Sequence, residues 1–224
     1  MKKYNYLLLQ LIALSILFTS CKNESQKQDK EEVNSEESSA GESLNENINE
    51  EKTFNNDLNA SYQFNPGDTL VWKGKHNNDE DFVHIGTVEV SSGKAEVVNG
   101  KLVEGEIIID LTTLRKGNPR LDNHLKDDDF FNVAIFPNAT FRLKNYSNGL
   151  VNGELSVLGI QKAISFPLTI SMNENSLNIN GEFELDLLPF ELPSLVKVEN
   201  SPAEEKASGP SSKVNIAVAL TARP

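Results

Sequence analysis

Leu177-Asn178-Ile179-Asn180-Gly181-Glu182-Phe183-Glu184-Leu185-Asp186-Leu187 alternates without a break, apolar or glycine at odd positions and polar or acidic at even ones. Successive side chains of a β-strand point to opposite faces, so the run reads as a strand with one dry face and one wet face. Val214, Ile216, Val218 and Leu220 repeat the period near the C-terminus, with small or polar residues between them. Strands that are apolar on one side only suit an antiparallel sheet whose other side meets water.

The same alternation recurs in Leu70-Trp72-Gly74, in Val83-Ile85 with Val88-Val90, in Ala95-Val97, and around residues 139–145, 150–158 and 163–171. Long helical periodicity is scarce. Asn99-Gly100, between residues 95–98 and 101–111, is a two-residue hairpin signal, because both residues tolerate positive φ. Only residues 119–131 break the pattern, with Leu121 and Leu125 spaced for one or two helical turns. Residues 189–212, with four prolines and a polar middle, read as a long loop. The expected fold is all-β, a sandwich or an antiparallel β-barrel of about eight strands with one short helical segment. Such a barrel is wide enough for one elongated small ligand, but alternation alone does not distinguish a cavity from an interior filled by side chains.

Charge divides the chain. The 224 residues carry 33 acidic and 21 basic side chains, for a net −12. That excess argues against nucleic-acid phosphates or anionic headgroups as the main target. Residues 22–60 hold 11 acids, 4 bases and only 7 apolar residues, whereas residues 61–224 hold 22 acids and 15 bases with a normal apolar content. A segment with so little to bury cannot offset its conformational entropy, so residues 21–60 are expected to be a disordered linker and 61–224 a single domain. Lys2, Lys3 and the apolar run from Leu7 to Phe18 read as a secretory signal over residues 1–20, since twelve helical residues span about 18 Å against a hydrocarbon core of about 30 Å.

Phe18-Thr19-Ser20-Cys21 resembles a bacterial lipobox, whose cysteine is lipidated and becomes the mature N-terminus. Cys21 is the sole cysteine. It cannot close an intrachain disulfide, nor, with three histidines, complete a closed Cys/His zinc site. Several acyl chains on it would anchor stably, at about 0.8 kcal/mol per buried methylene. A linker of this length would then reach roughly 35 Å. The expected location is a bacterial cell envelope, lipid-anchored through Cys21 on the periplasmic or surface face of the outer membrane.

A set of segments adds a resemblance. Trp72-Lys73-Gly74-Lys75, His84-Ile85-Gly86-Thr87-Val88, the run from Gly105 to Leu114, His124-Leu125-Lys126, Asp129-Phe130-Phe131-Asn132-Val133, Phe136-Pro137-Asn138-Ala139-Thr140-Phe141, Val151-Asn152-Gly153-Glu154-Leu155, Leu158-Gly159-Ile160-Gln161-Lys162 and Phe166-Pro167 follow in order. Together they resemble the YceI-like family over roughly residues 61–222. The resemblance implies an extended, lipocalin-like antiparallel barrel that binds a polyisoprenoid-like or fatty-acid-like ligand in its interior, without a cofactor. Where family members often carry an Asp-Arg pair and an aromatic-Gly step, this chain has Asp186-Leu187-Leu188-Pro189-Phe190.

Trp72, Val88, Ile107, Ile109, Phe141, Leu155, Phe166, Phe183 and Leu185 are strand residues suited to line an apolar tunnel, or equally to fill a plain core. Phe130 and Phe131 follow the polar run Asp127–Asp129, as expected of a short plug closing one end. His84 reads as a hydrogen-bonded structural histidine in preference to a head-group contact. Asp127, Asp128 and Asp129 lack the spacing of a calcium loop and read as a solvated turn. Glu104/Glu106 and Glu182/Glu184 sit at i,i+2, on what should be a solvent face. No nucleophile elbow, phosphate-cradling loop or zinc-protease motif is present. The chain is therefore expected to bind and not to catalyse, without metal, cofactor or nucleic acid. The alternatives are a surface lipoprotein displaying residues 191–212 to a protein partner and, more weakly, an enzyme acting on a barrel-held isoprenoid.

Overall fold

The computed structural model describes residues 57–224; the expected signal segment, Cys21 and the expected linker up to residue 56 lie outside the described residues. Among the described residues ten strands form one antiparallel sheet: β1 (Ala60–Phe64), β2 (Thr69–His76), β3 (Asp79–Val98), β4 (Lys101–Arg115), β5 (Asn138–Ser147), β6 (Leu150–Val157), β7 (Ile160–Pro167), β8 (Thr169–Asn173), β9 (Ser176–Asp186) and β10 (Pro210–Ala222). Their order is β7-β6-β5-β4-β3-β2-β10-β9-β8, with β1 added alongside β3. The edge strands β7 and β8 are separated in sequence by Leu168 alone. The sheet must therefore curl until its two edges meet, which makes it barrel-like.

The junction is a seam of side chains. β7 pairs with β6 over its whole length, while β9 carries β8 only as far as Asn180. Beyond that point Phe166 of β7 and Phe183 of β9 stack across the gap, with ring centroids 4.0 Å apart and planes 15° off parallel. Gly181, at φ +155°, makes the crossing of Leu168 possible. A Cβ there would stand 2.7 Å from Leu168 Cδ2.

The Asn99-Gly100 hairpin forms as its residues predict, both at positive φ (51° and 70°). Asn148-Gly149 makes a second turn of this kind, at 51° and 75°. Three sequence expectations need correction. The apolar stretches between Val83 and Val97 are not separate strands but one 20-residue strand, β3. Register shifts near Thr87, Val90 and Val97 break the phase of the alternation without ending the strand. Residues 189–212 are not a plain loop, and the single helical segment becomes three. A 3-10 turn (Leu188–Phe190) and helices α2 (Pro193–Glu199) and α3 (Ala203–Ser208) follow β9, in addition to α1 (Pro119–Lys126). The prolines that suggested a loop stand where helices tolerate them, Pro193 in the first turn of α2 and Pro202 at the N-cap of α3. Finally, Leu58 and Ala60, inside the stretch read as linker, belong to the fold. Leu58 is buried and its carbonyl accepts from Gly100 N at 2.9 Å.

The outer face carries the charge. Cross-strand pairs Lys73–Glu182 (2.8 Å), Lys94–Glu104 (2.6 Å), Arg142–Glu106 (2.6 Å) and Lys213–Glu184 (2.9 Å) place both carboxylate pairs singled out in the sequence on the outside, where water screens them and they add little to stability. Stability comes from the inner face, where each buried Leu, Val or Phe is worth roughly 1.5–3 kcal/mol. The end of the barrel near β1 is closed by buried side chains. Tyr62, Leu177 and Ala222 are fully buried there, and the Tyr62 hydroxyl donates to the Asn173 carbonyl. α1, α2 and α3 lie at the opposite end.

Candidate ligand-binding cavity

Above that floor the interior is hollow. The cavity measures about 580 Å³ and its wall is overwhelmingly aliphatic and aromatic. Each strand contributes its inward-facing positions, among them Trp72 and Gly74 from β2, Val88 from β3, Ile107 and Ile109 from β4, Phe141 from β5, Leu155 from β6, Phe166 from β7, Phe183 and Leu185 from β9, and Val214, Ile216 and Val218 from β10. Phe130 and Phe131, in the turn after α1, line the same space. All eleven residues singled out in the sequence therefore stand in one wall. Trp72, Val88, Leu155 and Phe166 are buried; the other seven are half-buried.

Why the interior is hollow is a question of glycines. A Cβ at Gly86 would lie 2.3 Å from the Trp72 ring, and one at Gly153 would lie 2.4 Å from the Phe141 ring. These two glycines give the rings somewhere to lie along the wall. Gly74 and Gly105 line the cavity without adding a side chain to it. Trp72 Nε1 donates to the Thr87 carbonyl at 3.3 Å, so the indole presents an apolar surface with its one polar atom already bonded. Phe141, Phe166 and Phe183 form an aromatic row across β5, β7 and β9, the first two with centroids 5.5 Å apart.

The helical end is built differently. Asn118 caps α1 by accepting from the N–H groups of Arg120 and Leu121. Asp122 accepts from Lys116 N (2.7 Å) and Gly117 N (3.3 Å), which fixes the turn between β4 and α1. The turn after α1 is joined to α2 by Ser194 N donating to the Asp129 carbonyl at 2.8 Å. Leu195 and Val198 of α2 reach the cavity. Sequence reasoning missed them together with the helix, although Leu192, Leu195 and Val198 already have helical spacing.

His84, read as structural, faces the cavity opposite Gly74. Its Nδ1 lies 2.7 Å from Lys116 Nζ. An ammonium can only donate, so Nδ1 accepts and the ring proton sits on Nε2. Burial, then the Lys116 charge and His76, holds the His84 pKa below its ordinary value. The His76 and His84 rings meet edge to face at 6.0 Å, and His76 Nδ1 lies 2.8 Å from the Ser208 carbonyl. Asp127 serves the turn through its carbonyl, which accepts from Phe130 N and Asn132 N. Among the described residues no group of three or more His, Cys, Asp or Glu is placed to hold a metal ion, and no helix is long and apolar enough to cross a membrane.

A curled antiparallel sheet around an apolar cavity defines a class, the lipocalin-like barrels. Within it, the YceI-like domain model matches residues 62–222, and the chain belongs to that family. Among solved structures, BcnA of Burkholderia cenocepacia is similar at 16% identity and a TM-score of 0.55, over 68% of this chain and 94% of that one. A polyisoprenoid-binding domain from Saccharophagus degradans, implicated in plant cell wall breakdown, is similar at 14% identity and a TM-score of 0.54, over 72% and 97%. At such identities the likeness is one of fold. No curated protein matches the sequence.

Proposed function

We propose that this protein binds a long-chain apolar ligand, of polyisoprenoid or fatty-acyl type, inside the barrel and carries or sequesters it in a bacterial cell envelope, anchored through lipidated Cys21. The observation that carries the reading is the cavity of about 580 Å³, within the range of ligand sites and walled by hydrocarbon side chains on every strand from β2 to β10. The family membership and the polyisoprenoid-binding description of the Saccharophagus relative support it. Affinity comes from removing apolar surface from water, at about 25 cal/mol per Å². At about 0.3 kcal/mol per non-hydrogen atom, a chain of about 25 such atoms gains roughly 8 kcal/mol, a Kd on the order of micromolar.

The reading is of binding without catalysis, because the wall offers shape and hydrocarbon instead of paired acid, base and nucleophile. The contribution of α2 to the wall favours a role for residues 191–212 in receiving ligand over display to a partner. The test is organic extraction of the purified full chain, followed by mass spectrometry. A long-chain apolar molecule near one equivalent supports the proposal. A chain that yields none and takes up none when offered long-chain alcohols contradicts it.

A further inference from the structure

A barrel must let its ligand in, and one boundary of this one is closed by side chains alone. We infer that the seam between β7 and β9 is the portal through which the apolar chain enters sideways, with Phe166 and Phe183 as its gate. The inference rests on the proposed ligand-binding function and assigns its route of entry.

Neighbouring strands in the sheet, from β7 round to β8, are joined by backbone ladders. Among the described residues none joins β7 to β9, although the register for one is present. Carried past Leu168, the alignment that pairs Thr169 with Asn180 sets Phe166 opposite Phe183, Ser165 opposite Glu184 and Ile164 opposite Leu185. The stack of Phe166 on Phe183, at 4.0 Å, follows that alignment. The strands part where the ladder ends, at Leu168 and at Gly181 with its φ of +155°. They leave a groove of about 320 Å³. Ile164, Phe166, Phe183 and Leu185 line both this groove and the inner cavity, so one layer of hydrocarbon side chains separates the two. Pro189 and Phe190 extend the apolar surface along the groove. Parting that layer breaks no bond between strands, and the rings can turn aside by changing rotamer. The helical end is tied instead. Asn77 N donates to the Gly209 carbonyl at 3.0 Å and Asn77 Nδ2 to the Lys206 carbonyl at 2.9 Å, which fastens α3 to the turn between β2 and β3. Ser194 N fastens α2 to the turn after α1. Opening that end costs these bonds, and α2 serves there as an end wall. At the seam an apolar chain passes from one hydrocarbon surface to the next without crossing a row of polar groups.

The test bridges each boundary in turn in the full chain carrying Cys21→Ser, so that the introduced cysteines are the only ones. Ser165→Cys with Glu184→Cys places a pair across the seam, and Asn77→Cys with Lys206→Cys places one across the helical end; none of the four lines the cavity. A short bis-methanethiosulfonate joins each pair, and dithiothreitol releases it. Uptake of geranylgeraniol is followed by stopped-flow emission of Trp72, which stands in the cavity wall. The seam bridge should slow uptake by about tenfold or more, because entry then lacks the conformational change it needs. Reduction should restore the rate in the same sample. The helical-end bridge should leave the rate as it was. Uptake slowed by the helical-end bridge, by both bridges or by neither would overturn the seam as the portal while the barrel proposal stands. If neither the native chain nor the unbridged variants bind geranylgeraniol, the ligand-binding reading itself falls. A seam pair that the reagent cannot span would contradict the register that sets Ser165 opposite Glu184.

Discussion

The Trp72–Gly86 contact shows how single residues set the shape of the interior. A Cβ added to Gly86 would lie 2.3 Å from both the Arg115 carbonyl oxygen and the indole, so even a methyl group cannot be added without moving backbone or ring. Gly86→Ala should destabilise the fold by about 1–3 kcal/mol, the usual cost of overpacking, read as a lower urea midpoint with unchanged slope. His84 makes a pH prediction. Its folded pKa lies below the ordinary 6.5, so the unfolded chain binds the proton more readily. Its contribution to stability is then complete above about pH 6.5 and is lost as pH falls from there through the folded value. Urea midpoints measured from pH 8 down to pH 5 should decline less steeply in His84→Gln than in the native chain. Much of the wall was legible in the sequence, because period-two alternation fixes which residues share a face once one of them faces inward. The cavity was not, because its cause is the room left by glycines such as Gly74, Gly86 and Gly153, which in sequence look like ordinary turn or bulge residues.

Elements that close the barrel were harder to read than the strands that form it. Alternation located most strands, but register shifts hid the continuity of β3. Prolines hid α2 and α3, since Pro breaks a helix interior yet starts a helix well. The 3-10 turn after β9 brings Phe190, almost fully buried, to the seam beside β7, where no backbone ladder covers the sheet edge. Such shielding of an unpaired edge is a device against strand addition. α1 depends on its cap, because Asn118 satisfies two N–H groups that the helix itself cannot. Asn118→Ala should cost about 1 kcal/mol and lower the thermal midpoint by about 2–4 °C in a domain of this size. An unchanged midpoint in a calorimetric scan would show that the rest of the helical end holds α1 without its cap.

At the scale of the molecule, the chain separates charge from hydrocarbon. The acid excess lies on the N-terminal segment and the outer face, and hydrocarbon fills the inner one. Lipidation of Cys21 is a proposal from sequence. In cells fed an alkyne-tagged fatty acid the native chain should carry label and a Cys21→Ser variant none; equal labelling of both would exclude Cys21 as the attachment point. The central claim, that the barrel takes a long apolar chain into its interior, has a reporter built in. Trp72 is the only tryptophan of the 224 residues, and it stands in the cavity wall. Titrating the full chain with geranylgeraniol while recording tryptophan emission should give a spectral change that saturates near one equivalent, with a Kd on the order of micromolar. An emission spectrum that stays constant throughout the titration of the folded chain would contradict it.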